Sequence, residues 1–269
     1  MPKPLEPPKP VWTPRRTLRL LGGLVILAGA ALGAKEVNSF LNHDPRFDLV
    51  CAPGQTTCAS LEIRGAVYSS RVRIYSIFAQ DFGNSVFNIP LDERRRHLLA
   101  IDWVSAASVS RVWPNRLVVT VTERKPVAFA KLPVEESSAG FTNGFRMALI
   151  DADGVLLSIP PRVRFRLPVL SGVSERQSDA DRKARVEAMH HLLDDLGPQS
   201  TQISEVNAAN PVDMRIVASL DNQAVELWIG DQHFRTRYLN FLSYYSEIRK
   251  HSGDASVFDL RLDDRILAK

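Results

Sequence analysis

The sequence predicts an α+β protein in which a single transmembrane helix is followed by a β-α-α-β-β unit and then a mixed β-sheet domain with two helices. Three observations predict this order: an uncharged apolar run at residues 20–34, a short region where strand and helix periodicities alternate, and a longer region rich in strand patterns. The composition, 45% hydrophobic and 24% charged, is typical of a folded chain. The lysines and arginines that give the net charge of +4 do not form a cluster with interleaved aromatic residues, which argues against nucleic-acid binding.

The N-terminal region carries the membrane signal. Residues 1–17 are rich in proline and predict a disordered cytoplasmic tail. As a helix the uncharged run would be about 22 Å long, shorter than the hydrocarbon core of about 30 Å, and Lys35 can extend it by snorkelling. Residues 18–41 therefore predict the membrane helix. Three arginines on the N-terminal side predict that this side is cytoplasmic and that the remainder is periplasmic: Arg15, Arg16 and Arg19. A cleaved signal peptide and a twin-arginine signal are alternatives, and both also export the remainder.

Two cysteines, Cys51 and Cys58, flank a Pro-Gly turn in the predicted periplasmic linker, residues 42–58. A zinc site would need two further soft ligands, and the neighbouring sequence offers none. In an oxidising compartment we expect the two thiols to form a disulfide, whereas in a reducing compartment they would stay free.

Residues 59–127 predict the β-α-α-β-β unit. Residues 61–64 alternate like a short strand, Ser69 or Ser70 is a candidate N-cap of the first helix, and Pro90 opens the second helix. The last two strands form a hairpin across a Pro-Asn turn, at residues 104–113 and 117–123. Trp113 and Trp228 fall in strand patterns, so we expect both side chains in the core.

Residues 128–269 predict the mixed β-sheet domain, with amphipathic helices at residues 179–196 and around 234–248. Residues 257–267 predict one final strand with Phe258, Leu260 and Leu262 facing inward. Because this strand is the last element, its outer edge can accept a strand from a partner. The predicted docking residues are Asp259, Leu260, Arg261, Leu262, Asp263, Asp264, Arg265, Ile266 and Leu267.

One segment has the appearance of a catalytic motif. Residues 148–156, ALIDADGVL, resemble the first motif of haloacid-dehalogenase phosphatases, in which Asp151 would attack phosphate and Asp153 would act as acid and base. Such an enzyme also needs a lysine and Mg²⁺ ligands at the ends of parallel strands. Here Lys183 and the Asp194-Asp195 pair fall on one helix, which favours an Asp-Gly hairpin turn.

The second candidate is a metal face formed by His190-His191 and Asp194-Asp195 on the same helix. No third element converges on it, so we expect a solvated helix face. The sequence thus predicts a protein that is not an enzyme, without cofactor, metal or small-molecule substrate.

Several motifs follow one another along the exported part in a recognisable order. Residues 61–66 read LEIRGA, residues 101–117 read IDWVSAASVSRVWPNRL and residues 122–128 read TERKPVA. These resemble the opening strand of the POTRA domain and the W-V, A-V, R-x-W-P and E-R-x-P-x-A pattern of the FtsQ/DivIB family of bacterial cell-division proteins. Further segments fall in the family order: residues 149–156, 167–172 and 258–261.

The resemblance implies a single-pass inner-membrane protein with a POTRA domain at residues 59–127 and an FtsQ-type β domain at residues 128–269. It implies a non-catalytic divisome scaffold at the septum that recruits and links division proteins, some through the POTRA domain. It also implies that the final strand pairs with FtsB, a coiled-coil membrane partner in complex with FtsL. Leu262 departs from the tyrosine that many members carry. Another POTRA-containing envelope assembly factor and a periplasmic phosphatase are the alternative functions.

Overall fold

A computed structural model describes residues 14–51, 58–134, 144–252, 255–262 and 265–268. The predictions for residues 1–13, for the Pro-Gly turn and for Asp263 and Asp264 lie outside these residues. Contacts divide the chain into two compact units, and the second contains Val67–Ser69, Leu99–Ala106 and the chain from Thr122 onward. The α+β fold class is confirmed. The domain limits drawn from the sequence stay predictions.

The first unit begins with α1 (Pro14–His43). Within the described residues, its segment Leu21–His43 is long and apolar enough to cross a membrane. The side chains from Leu21 to Phe40 are all exposed, as expected for a helix whose apolar surface is covered by lipid. The helix therefore fits a single-pass membrane anchor.

The predicted β-α-α-β-β order is confirmed. Ser70 caps the first helix, because its side chain accepts a hydrogen bond from the Arg73 N–H. The elements form a three-stranded sheet in the order β1-β3-β2, with β1 parallel to β3, and are β1 (Leu61–Arg64), α2 (Arg71–Ile77), α3 (Leu91–Leu99), β2 (Val104–Val112) and β3 (Arg116–Glu123). Trp113 does not lie in the core as predicted. It is 61% exposed, because it lies in the turn between β2 and β3.

The second unit contains a nine-stranded sheet and two longer helices. The helices are α4 (Asp179–Leu196) and α5 (Phe234–Ser252). The strands are β4 (Pro126–Pro133), β5 (Phe145–Asp151), β6 (Leu156–Leu157), β7 (Val169–Ser171), β8 (Ile203–Asn207), β9 (Met214–Leu220), β10 (Gln223–Gly230), β11 (Val257–Asp259) and β12 (Leu267–Ala268). They are ordered β12-β11-β10-β9-β8-β7-β4-β5-β6, which leaves β12 and β6 at the edges.

The prediction of one final strand over residues 257–267 is wrong. β11 ends at Asp259, and the chain turns before β12 returns antiparallel to β11. The strand breaks here because the Asp259 carboxylate accepts hydrogen bonds from both the backbone N–H and the guanidinium of Arg261. Phe258 and Leu260 are buried as predicted, but Leu262 is 50% exposed.

Candidate partner-binding edge

Helix α5 positions the C-terminal strands. Its large side chains recur with helical spacing on the face that packs against the sheet: Phe234, Tyr238, Phe241 and Tyr245. The Tyr238 hydroxyl donates a hydrogen bond to Gln202 Oε1 at 2.7 Å, and burial raises the pKa of Tyr238 to about 12. After this helix the chain can enter β11 parallel to β10, with Phe258 opposite Leu227.

The backbone hydrogen bonds determine which groups of β12 face outward. Glu226 N donates to Ser256 O at 2.8 Å, and Leu260 N donates to Trp228 O at 2.9 Å. The backbone N–H and C=O groups of Ser256, Phe258 and Leu260 therefore point toward β10. Asp259 therefore faces β12, where it pairs with Leu267. Since Leu267 faces β11, the N–H and C=O of the next residue, Ala268, point away from the sheet.

A cluster of charged groups around an indole ring holds the end of β11. The guanidinium of Arg261 lies 4.9 Å from the centre of the Trp228 ring, and that of Arg215 lies 3.9 Å from it. Arg261 also pairs with Asp259 at 2.6 Å and with Asp213 at 3.2 Å. The hydrogen bonds to Asp259 raise the pKa of Arg261, so its charge is permanent. The prediction that Trp228 lies in the core is wrong: its neighbours Leu227 and Ile229 face the core, and Trp228 is on the other face of β10, partly buried beneath the two guanidinium groups.

A groove lies beside this edge, between α5 and the segment that leads to β12. Its volume is about 390 Å³. The lining combines apolar and charged side chains from both elements: Arg237, Asn240, Tyr244, Leu260, Leu262, Arg265 and Ile266. Tyr244, Leu262 and Leu267 are large apolar side chains exposed on the surface. An exposed strand edge beside such a groove offers both main-chain hydrogen bonds and side-chain pockets to an added strand.

The predicted docking residues therefore have different structural positions. Asp259 and Leu260 are buried and support the edge, whereas Leu262, Arg265 and Ile266 line the groove and Leu267 lies on the edge strand. The partner-binding role of the whole set stays a prediction. Two residues of this edge were not predicted from the sequence. Tyr244 could have been found, because an aromatic residue outside the buried face of α5 indicates a contact surface. Ala268 could not, because its role depends on its backbone N–H and C=O and not on its side chain.

The residues of the phosphatase-like motif form a turn. Asp151 Oδ1 accepts hydrogen bonds from the N–H groups of Asp153 at 3.0 Å and Val155 at 2.8 Å. Lys183 pairs with Asp153 at 3.1 Å on the surface, and Asp195 accepts a hydrogen bond from the Arg235 N–H. In the described part of the chain, His, Cys, Asp and Glu side chains nowhere form a group of three that could hold a metal.

The two cysteine sulfur atoms lie within bonding distance of each other. The Cα atoms of Cys51 and Cys58 are 5.3 Å apart, a separation that a disulfide accommodates. Whether the pair is oxidised in the cell stays a prediction, because the compartment determines it.

Comparison with known proteins relates the sequence of this chain to one family. The FtsQ-type POTRA domain family matches residues 57–124. A cell division protein FtsQ from Koribacter versatilis is 31% identical over 256 residues, which cover 93% of this chain and 68% of the relative. One from Novosphingobium aromaticivorans is 29% identical over 248 residues, covering 92% and 69%. One from Geobacter is 24% identical over 278 residues, covering 99% and 93%.

Proposed function

This chain belongs to the FtsQ family of cell division proteins, and from this membership we propose that it is a non-catalytic, membrane-anchored scaffold of the divisome. It recruits and links division proteins at the septum. Its N-terminus is cytoplasmic and the chain that follows α1 is periplasmic, which the three arginines before the apolar run of α1 support. The POTRA domain contributes a second surface for other division proteins.

The observation that carries this proposal is the outward-facing edge of β12. In the described residues no further strand pairs with β12, and its neighbouring groove presents Tyr244, Leu262 and Ile266. A partner strand laid along β12 would satisfy the outward N–H and C=O of Ala268, while its alternate side chains would enter the groove.

The partner that we propose for this edge is a coiled-coil membrane protein of the FtsB type, held in complex with an FtsL-type chain. A segment of such a protein would lie beside the same membrane that anchors α1, which raises the effective concentration of the two surfaces.

Proline substitution at the edge tests this proposal. Ala268→Pro removes an outward N–H without touching the ladder between β11 and β12. We expect the affinity of the full-length protein for the coiled-coil complex to fall about tenfold or more, measured in detergent with purified components. The melting temperature should stay within a few degrees of the unsubstituted protein.

Ala268→Ser is the matched control, because it changes the side chain and keeps the N–H. We expect this variant to bind as the unsubstituted chain does. Unchanged binding by a folded Ala268→Pro variant would show that β12 is not the docking edge.

A further inference from the structure

Four aromatic side chains form a cluster at the C-terminal end of α1, called here the aromatic cluster: Phe40, Phe47, Phe87 and Trp113. The ring centre of Phe47 lies 5.6 Å from each of the other three, and those of Phe87 and Trp113 are 4.7 Å apart. Phe47 is buried at the centre. Phe40 is 48% exposed and Trp113 is 61% exposed, so the cluster presents an apolar aromatic surface outward.

Hydrogen bonds fasten this cluster to the end of the helix. Ser85 Oγ donates to Leu41 O at 2.7 Å, and Val86 N donates to Phe47 O at 2.9 Å. Arg111, two residues before Trp113, donates from Nε to Val86 O at 2.6 Å. The hairpin that carries Trp113 and the segment that carries Phe87 are therefore held against the last turn of α1.

The position of Phe40 along α1 determines where the aromatic cluster lies relative to the membrane. The uncharged run ends at Ala34 and is about 22 Å long, shorter than the hydrocarbon core of about 30 Å, so Lys35 snorkels and the helix continues through the hydrocarbon beyond it. Phe40 follows Lys35 by about 7.5 Å along the helix axis. The run and this further length together match the thickness of the hydrocarbon, so Phe40 lies where the headgroup layer begins. The Arg46 guanidinium lies 5.3 Å from the centre of the Phe40 ring and pairs with the Asp44 carboxylate at 2.8 Å.

We infer that the exposed faces of Phe40 and Trp113 contact the lipid headgroup region of the membrane that α1 spans and dock the part of the first unit that follows α1 onto the bilayer surface. Tryptophan favours this region, because its ring is apolar and its N–H can bond to headgroups or water. The occupant is lipid rather than protein, since the patch is continuous with the lipid-facing surface of α1. The inference holds for either orientation of the helix and does not depend on partner binding at β12.

Fluorescence quenching by brominated lipid tests the inference. The full-length chain carrying Trp12→Phe, which removes the tryptophan before α1, is placed in nanodiscs of phosphatidylcholine with bromine on the upper acyl chain, and in unbrominated nanodiscs. We expect the brominated lipid to quench part of the emission, and we expect Trp113→Phe to remove most of the quenched part. Trp113→Tyr, which keeps an aromatic ring with a polar group, should also remove most of the quenched emission.

Trp228→Phe is the control, because that indole belongs to the second unit and is covered by two guanidinium groups. It should leave the quenched part unchanged. Melting curves verify that each variant is folded. Quenching that persists in both Trp113 variants would overturn the inference. So would an unquenched Trp113 whose replacement weakens binding of the coiled-coil complex or self-association, because the patch would then contact protein.

Discussion

The guanidinium of Arg124 donates a hydrogen bond to Asp151 Oδ2 at 2.8 Å, which joins the start of β4 to the turn after β5. The Asp151 side chain is 6% exposed and that of Arg124 is 21% exposed. The other carboxylate oxygen of Asp151 accepts the two backbone N–H groups of the turn. Both oxygens are therefore occupied by structural contacts, and the carboxylate stabilises the fold rather than facing a substrate.

Asp151→Asn should weaken the fold while leaving the turn intact. The amide oxygen can accept the same backbone N–H groups, but Arg124 loses its negative partner in a largely buried position. We expect the free energy of unfolding to fall by about 1.5–3 kcal/mol, measured by denaturation of the full-length protein in detergent.

Asp153→Asn is the matched control, because Asp153 pairs with Lys183 on the surface and such exposed pairs contribute little. Its effect on stability should be much smaller. Both variants should also support division in a strain depleted of this chain. Loss of division with a folded Asp151→Asn protein would contradict the non-catalytic proposal.

The Glu123 carboxylate makes the stability of the folded protein depend on pH. Burial alone would raise the pKa of Glu123, but hydrogen bonds from Ser69, Tyr68 and Val67 outweigh it and lower the pKa below its ordinary value. A carboxylate with a lowered pKa in the folded state stabilises the protein above its unfolded pKa of about 4.3. That contribution is lost as the pH falls through the lower, folded value.

Glu123→Gln should therefore destabilise the protein at pH 7 by about 1.5–3 kcal/mol, the range for hydrogen bonds to a charged group. The difference from the unsubstituted protein should shrink as the pH is lowered below about 4.3. Denaturation curves at pH 7 and at a series of acidic values measure it. Glu187→Gln, which removes an exposed carboxylate on α4, should show neither effect. A difference that stays constant down to low pH would contradict this role of Glu123.

The elements that sequence predicts well are those whose limits depend on neighbouring residues. Helix α4 covers residues 179–196 as predicted, because Ser178 caps its first turn and Gly197, with a φ of 58°, ends it. The hairpin between β2 and β3 follows in the same way from the Pro-Asn turn. The order of the units also follows from local patterns, and the resemblance agrees with it because the family's motifs occur in order over most of the exported part.

The features that sequence reasoning missed depend on distant contacts. The final strand breaks where Arg261 bonds to the Asp259 carboxylate, and Asp213, 48 positions away, holds the same guanidinium in place. The alternation within residues 257–267 does not indicate the contact with Asp213. Glu123 binds backbone groups 54 to 56 positions earlier. Trp113 was misassigned because alternation cannot distinguish a buried indole from one exposed at a turn.

The orientation of α1 is tested with a reporter. A fusion partner that is active only in the periplasm, joined after Lys269, should be active, because three arginines precede the apolar run. The protein should also remain in the membrane fraction after a carbonate wash. A soluble form shortened by about 33 residues would instead establish a cleaved signal peptide.

The pairing of Cys51 and Cys58 predicts protection from alkylation. Mass spectrometry of the protein isolated without reductant should find neither thiol modified. A double Cys→Ser variant should be less stable by about 2–3 kcal/mol on the loop-entropy estimate, because the bridge closes a short loop. Complete alkylation without reductant would show that the pair is reduced in the cell.

Arg261 should affect partner binding more than it affects folding. Its contacts to Asp259 and Asp213 hold the segment between β11 and β12, and its guanidinium covers Trp228. If β12 docks the partner, Arg261→Ala should free that segment and weaken binding of the coiled-coil complex about tenfold. The binding free energy would then fall by about 1.4 kcal/mol, because the edge strand is no longer held in its binding conformation. Arg261→Lys should restore binding only in part, because an ammonium cannot form the two parallel bonds of the guanidinium.

Arg215→Ala is the comparison that separates binding from folding. Arg215 covers the same Trp228 ring at the shorter distance of 3.9 Å, but it belongs to β9 and pairs with Glu226. Its loss should lower the melting temperature about as much as the loss of Arg261, while partner affinity should stay close to that of the unsubstituted chain. If both variants weaken binding equally, the ring cluster acts on the partner only through general stability, and Arg261 has no separate role in holding the docking edge.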